Sequence, residues 1–304
     1  MKAQHRPGFT LTQLLVLLVL LAILAGLLLP AILRVRQSAS RVASTNNLRQ
    51  IALAMHNYND TKGKLPPGND KNNFSTAAHL LPFIEQNAVF NQIAFDKPSD
   101  DKANADARKA VVRIFISPQD EQVAVRGDWG PTNYLYNAGT KAALKDSDGV
   151  FFQDSQSKIP QTFVDGTSNT IVAGETMKGD GGKKAVDVRR QHVALKKDAL
   201  KDLKGDAGVA EFKANQHIAG DRCASWMDGR FLLGTFNGGR VPNDPRPDVS
   251  CEGLGGWSGL RSMEDVVLVA MGDGSVRPIS TKIKPETWRA LLTPNGGEDI
   301  GNDF

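Results

Sequence analysis

The sequence predicts an α+β protein: one long N-terminal helix, a membrane half followed by an amphipathic half, packed on a mainly antiparallel β-sheet domain. Three observations predict it. Residues 14–33 form a run of 20 without a charged side chain. At about 1.5 Å rise per residue, such a run makes a helix of roughly 30 Å, the hydrocarbon thickness of a bilayer. Beyond it, Leu48, Ile51, Ala52 and Met55 recur at i, i+3, i+4 and i+7, one apolar stripe on an otherwise polar helix. After the helix and a few shorter helical stretches, the texture turns to brief apolar runs separated by turn residues, the pattern of strands.

Each element follows in order. Gly26 and Pro30 interrupt the apolar run, and a proline inside a helix removes one backbone hydrogen bond and usually kinks it. Asn59-Asp60 and then Lys62-Gly63-Lys64-Leu65-Pro66-Pro67-Gly68 end the helix. Residues 75–93 read as a short helical pair with Leu80, Leu81, Phe83 and Ile84 as core candidates. Residues 103–112 read as another helix, leading into a strand at 111–116. Strands are expected at 134–136, 150–152, 170–173 and 266–271. Asp165-Gly166 and Asp273-Gly274 are turn signals. The clearest insertion, 183–208, holds eight basic residues with acids interspersed and predicts a solvated surface helix around 193–203.

Composition bounds the function. A chain of 304 residues with 40% hydrophobic content suits one or two compact domains beyond the apolar helix. The 37 basic and 33 acidic residues leave a net charge of +4, close to balance, which argues against a dedicated nucleic-acid binder. Two cysteines occur, Cys223 and Cys251, without metal-site spacing. They form either a disulfide, worth about 3–4 kcal/mol outside the cytoplasm, or two buried free thiols.

Motifs of chemistry are missing. There is no G-x-S-x-G elbow, H-E-x-x-H or Walker A loop. Gly179-Asp180-Gly181-Gly182-Lys183-Lys184 lacks the upstream glycine and the Ser/Thr of a phosphate loop, and 253–259 reads as a flexible glycine-rich loop. Asp146-Ser147-Asp148-Gly149 suggests calcium only superficially: the glycine is misplaced and no glutamate closes the loop. His56, His79, His192 and His217 are scattered. In Asp165-Gly166-Thr167-Ser168-Asn169-Thr170 the polar side chains read as caps on backbone groups before a strand. No catalytic, cofactor or metal residue is assigned, and no cofactor is expected.

The start of the chain adds a resemblance. A basic head (Lys2, His5, Arg6), then Gly8-Phe9-Thr10-Leu11-Thr12-Gln13, then the apolar run resembles the type IV prepilin leader and stalk. The resemblance implies that a membrane-bound prepilin peptidase/methyltransferase cuts between Gly8 and Phe9, leaving the hydrophobic helix on the mature protein. Residues 1–8 are then the leader, 9–33 the transmembrane and assembly helix with Gln13, Gly26 and Pro30, 34–60 its amphipathic continuation, and 61–304 the head. An ordinary signal peptide has an apolar core of only about 7–15 residues, so a plain uncleaved anchor is the stronger competitor. The mature N-terminus separates them: Phe9, Met1 or, after Ser38-Ala39-Ser40, Arg41. Lys2 and Arg6 on one flank and Arg34, Arg36 and Arg41 on the other leave orientation undecided by charge.

Asn46-Asn47-Leu48-Arg49-Gln50-Ile51-Ala52-Leu53-Ala54-Met55-His56-Asn57-Tyr58, with Pro66-Pro67-Gly68, narrows the match. So do Asn133-Tyr134, Asn137-Ala138-Gly139-Thr140, Asp165 to Ile171, Gly174-Glu175 and Asp273-Gly274-Ser275-Val276. Together they resemble a bacterial pilin-like family catalogued as domain of unknown function 1559. Three positions depart. Met263 stands where the family's signature has a histidine, Ser117 replaces the cysteine of its C-P-x-D segment, and Gln13 replaces the usual pilin glutamate. That glutamate is thought to neutralise a neighbouring subunit's N-terminal ammonium. Gln13 offers an acceptor but cannot cancel a charge. The resemblance implies a structural subunit of the cell envelope, pilin-like or pseudopilin-like, minor or outside a filament core. It would be a single-pass protein of the inner membrane with its head outside the cytoplasm, at the cell surface if assembled. Its partners would be prepilin peptidase, other pilin-like subunits, the membrane and an extracytoplasmic ligand of unknown identity. The alternative is a membrane-tethered binding module that does not polymerise.

Overall fold

The computed structural model describes residues 11–120, 125–298 and 300–301; the side chains of Ala22, Ala25, Leu27, Pro30, Ala31 and Leu33 are not described. The leader, with Gly8 and Phe9, lies outside these residues. The chain divides into two compact units, the first ending at Val42 and the second beginning at Ala43.

Helix α1 (Leu11–Lys62) is 52 residues long and is assigned without interruption through positions 26 and 30. In the first unit, each side chain from position 14 to 21 is 45–60% exposed, so successive positions on all faces of the helix present leucine or valine. A side chain added at Gly26 would meet no atom within 4 Å. Among the described residues no helix is long and apolar enough to cross a membrane. The six undescribed side chains fall within the uncharged run 14–33.

In the second unit the polar half of α1 behaves differently. Leu48, Ile51, Ala52 and Met55 are all buried, with Ala54 beside them, as the i, i+3, i+4, i+7 spacing predicts. The helix closes on Gly63, whose φ of +71° suits glycine, and whose N–H reaches the Asn59 carbonyl at 2.8 Å. Short helices follow: α2 (Thr76–Leu80), capped by the Ser75 hydroxyl, α3 (Asn87–Phe90) and α4 (Ala105–Lys109). Leu80 and Leu81 are fully buried, while Phe83 and Ile84 pack on the edge of the core.

Two sheets carry the rest. Strands β1 (Tyr134–Asn137), β2 (Ile171–Glu175), β5 (Thr235–Phe236), β8 (Val266–Met271) and β9 (Val276–Ser280) form a sheet ordered β5-β1-β2-β8-β9. Strands β3 (His192–Leu195), β4 (Ile218–Ala219), β6 (Asp248–Cys251) and β7 (Gly256–Trp257) form a second, ordered β4-β3-β6-β7. Both are mixed: β1 runs parallel to β5 and β3 parallel to β6, and the other ladders are antiparallel. Helices α5 (Val209–Lys213) and α6 (Pro285–Ala290) complete the fold.

Strands β1, β2 and β8 of the larger sheet are buried on both faces. Tyr134, Tyr136, Leu268 and Ala270 join the α1 stripe in one core cluster; Leu135, Val267, Val269 and Met271 join Trp288 of α6 in another. That is the period-2 alternation of strands, and two covered faces explain why β8 reads as an unbroken apolar run.

Four expectations are corrected. Residues 113–115 are a 3₁₀ turn, not a strand; the N–H groups of Phe115 and Ile116 bond back three residues, which drops Phe115 into the core. At 150–152 there is no strand: Val150 and Phe151 are buried, but Phe151 N–H bonds to the Asn137 carbonyl at the end of β1 while the Phe152 carbonyl accepts from Gly68 N–H, so no continuous ladder forms. The surface helix around 193–203 begins instead as β3, with Val193 paired on both sides, and continues as a 3₁₀ stretch over Lys197–Asp202. The glycine-rich segment 253–259 forms the tight β6–β7 turn, where a Cβ on Gly256 would stand 1.8 Å from the Val249 carbonyl oxygen.

Candidate functional site

The seat of α1 on the head is built from polar residues in an apolar surround. Ser44, fully buried, donates to Glu175 Oε1 at 2.8 Å and shares a hydrogen bond of 3.0 Å with the Ser117 hydroxyl. One turn on, Asn47 Nδ2 donates to the Ile116 carbonyl and the Tyr134 hydroxyl, both at 3.2 Å. Glu175 ends β2, opposite Tyr134 in the β1 ladder. Burial pushes its carboxyl above the ordinary range, and Asp120 and Glu264 add to the rise against hydrogen bonds from Ser117 and Ser44. It therefore keeps its proton to a higher pH than an exposed glutamate does.

Behind it lies a satisfied charge cluster. Asn133 Nδ2 donates to Asp120 Oδ2 and to the Thr176 carbonyl, each at 2.9 Å, and its Oδ1 accepts from Lys178 Nζ at 2.7 Å. Lys178 has no exposed side-chain area and stands 3.4 Å from Asp120, whose other oxygen accepts from Arg190 at 2.9 Å. Burial alone would raise Asp120, but Lys178 and Arg190 outweigh it and hold the carboxylate low. For Lys178, loss of hydration lowers the ammonium pKa against the pull of Asp120.

Glu175, Asp120, Asn133, Ser117 and Met263 line one cavity of about 30 Å³, room for little more than a water. Thus the residue at the histidine position, the residue at the cysteine position and three other motif residues, far apart in sequence, meet at one place. Met263 is 62% exposed at this cavity. The oxygens of Asp120 and Asn133 are engaged by the cluster, so the arrangement holds a helix in place rather than offering ligands to a metal. Among the described residues no group of three His, Cys, Asp or Glu side chains could hold a metal ion.

The loop motifs also meet. Asp165, at the turn before β2, accepts from the N–H groups of Gly296 and Gly297, while Asn169 Nδ2 donates back to the Asp165 carbonyl at 2.9 Å. Gly166 has φ +103°. The β8–β9 turn bonds to the same loop: Gly272 N–H to Thr170 and Asp273 N–H to the Thr167 carbonyl. Asp273 accepts from Ser275 N–H at 2.8 Å and Gly274, at φ +84°, takes the left-handed position of a three-residue hairpin. Ser168 lies half-buried in the same loop. Asp148, in the calcium-like segment, spends both oxygens on Thr140, at 2.6 and 2.8 Å.

Cys223 and Cys251 are unpaired and fully buried, in different apolar clusters. Of the two alternatives for the cysteines, the structure has the buried thiols and not the disulfide. Burial pushes Cys223 up to about 12 and Cys251 up to about 11.

Two features escaped the sequence reading. Asp248, on β6, accepts from the guanidinium groups of Arg222 and Arg261, and all three are at most 1% exposed. His192, on β3, lies beside a groove of about 310 Å³ in the second unit, with Arg126 and Asp221. Arginines in glycine- and proline-flanked loops carry no periodicity, so neither site left a local signal.

Residues 34–286 match the family described as "Protein of unknown function (DUF1559)". The chain belongs to that family. No curated protein and no solved structure matches. The DUF1559 match covers the seat of α1, both turn motifs and both sheets.

Proposed function

We propose that this DUF1559 protein is a structural subunit of the cell envelope, pilin-like or pseudopilin-like, and not an enzyme. In this reading prepilin peptidase cleaves between Gly8 and Phe9, residues 9–33 anchor the subunit in the inner membrane, and the head lies outside the cytoplasm. One observation carries it: the first unit of α1 presents leucine and valine at every position from 14 to 21, none of them covered. A helix apolar all round belongs in lipid or against other helices. The uncharged 20-residue run supplies the length, and the DUF1559 membership is consistent with a secreted or pilin-like protein. Gln13 in place of a carboxylate favours a minor subunit over a filament core, because it cannot neutralise a neighbour's ammonium in apolar surroundings. The polar seat at Ser44, Asn47 and Glu175 fixes the second half of the helix to the head.

Sequencing the mature N-terminus of membrane-extracted protein tests this. Phe9 with a methylated amine is expected, and loss of processing in a strain without the peptidase. A Met1 terminus, or protein recovered from the soluble fraction without detergent, overturns it. Crosslinking through cysteines placed between positions 14 and 24 reports neighbours if the subunit assembles. The second reading, a tethered module that binds a ligand and does not polymerise, is favoured by the groove at His192; it predicts no such crosslinks.

A further inference from the structure

The groove beside β3 is lined by side chains of both charges. Its walls carry Arg126, Trp129, His192, Asp221, Arg230 and Glu252. Arg230 is already occupied, held by both oxygens of Asp228 and by Asp100. Arg126 differs: its guanidinium lies 4.2 Å over the Trp129 ring and stands 3.7 Å from Asp128, with 44% of the side chain exposed. Stacking fixes the plane of the fork, which presents its N–H edge to a planar carboxylate.

The opposite sign is present as well. Asp221 is 44% exposed, and its carboxylate lies 3.6 Å from His192 Nε2, beyond hydrogen-bond length. Glu252, also exposed, is held at φ 49°, a left-handed position glutamate seldom takes. The His192 ring is 94% buried, and its Nδ1 has no hydrogen-bond partner. Burial keeps the imidazole neutral against the pull of Asp221. With Nε2–H turned toward that carboxylate, the ring presents no acceptor to the groove, its Nδ1 being sealed from solvent. With Arg230 spent on Asp228 and Asp100, the groove offers a cation at Arg126 and carboxylates at Asp221 and Glu252, so a ligand carrying both charges matches it better than a polyanion.

We propose that this groove binds a small zwitterion, an amino acid or short peptide with free termini, its carboxylate on Arg126 and its ammonium on Asp221. The volume of about 310 Å³ sits at the lower end of small-molecule sites. The groove lies wholly in the second unit, and binding is read independently of processing or assembly.

Titration calorimetry on the full chain in detergent micelles, with glycine, diglycine and triglycine, tests it. Each residue adds about 3.3–3.6 Å of reach, so one length binds best if two charges are spanned. N-acetyldiglycine and diglycine amide, each lacking one charge, are expected to bind at least tenfold more weakly than diglycine. Arg126→Ala and Asp221→Asn, both at half-exposed positions, are expected to lose at least tenfold with an unchanged melting temperature. No saturable binding by any of the three peptides, equal binding of the blocked forms, or indifference to Arg126→Ala and Asp221→Asn overturns the proposal.

Discussion

Replacing Asp248 by alanine tests how charge is tolerated in the interior of the head. Asp248 is 1% exposed and takes hydrogen bonds from Arg222, from Arg261 and from the Gly259 N–H at 3.2 Å. The two arginines are otherwise held by neutral groups, including Thr176 Oγ1 and the carbonyls of Met177, Gly259 and Asp244. Asp248→Ala therefore leaves two buried guanidinium groups sharing a space with no counter-charge from that strand. Breaking a buried pair in this way costs about 3–5 kcal/mol. Against a total stability of roughly 5–15 kcal/mol, that is about a fifth or more. At about 2–4 °C per kcal/mol for a domain of this size, the melting temperature falls by roughly 6–20 °C. Urea unfolding of the full chain in micelles, followed by tryptophan fluorescence, reads the change in midpoint and slope. Arg222 and Arg261 both changed to methionine together with Asp248→Leu should recover most of the loss, since an apolar triad of similar volume needs no compensation. A loss below about 1 kcal/mol for Asp248→Ala at unchanged slope would refute the reasoning.

Further predictions concern other parts of the head. Glu175 has a folded pKa above its ordinary 4.5, so its contribution to stability is fully present at low pH and is lost as pH rises from 4.5 through the folded value. Glu175→Gln should flatten that decline in a pH series of unfolding midpoints; an unchanged slope contradicts the assignment. Ile51→Ala, at a fully buried position of the α1 stripe, should cost about 2–5 kcal/mol. Leu53→Ala, 60% exposed on the same helix, should stay within about 0.5 kcal/mol. Gly256→Ala meets the Val249 carbonyl and should destabilise by at least about 2 kcal/mol, read by the same unfolding assay. A maleimide dye should leave Cys223 and Cys251 unlabelled in the native state and label both after unfolding without reductant; one blocked pair would show a disulfide.

Local periodicity explains what the chain disclosed in advance. The α1 stripe, the β8 run and the Asp-Gly turns are each specified within a few residues by helix pitch, strand alternation or left-handed glycine, so they could be read directly. The 3₁₀ turn at Arg113–Phe115 and the parallel β3–β6 ladder could not. A mostly apolar hexamer such as Val111 to Ile116, broken only by Arg113, fits a strand or a turn equally, and a parallel partner lies far along the chain. For the candidate sites the gap is wider. The motif residues Ser117, Asn133, Glu175 and Met263 are each legible in their own segments, but their shared cavity is not, and neither are the Asp248 cluster and the His192 groove.

By itself the order of residues determined that one end is uniformly apolar, that the next segment has one greasy side, and that the remainder alternates toward sheets. Those properties depend on neighbours within a turn or a strand, where covalent geometry sets the spacing. Only the tertiary structure decided which polar side chains are sealed from water together and which are left facing an open groove. Such groupings rest on contacts between distant segments, and the cost of burying a charge is set by those contacts rather than by its position in the sequence.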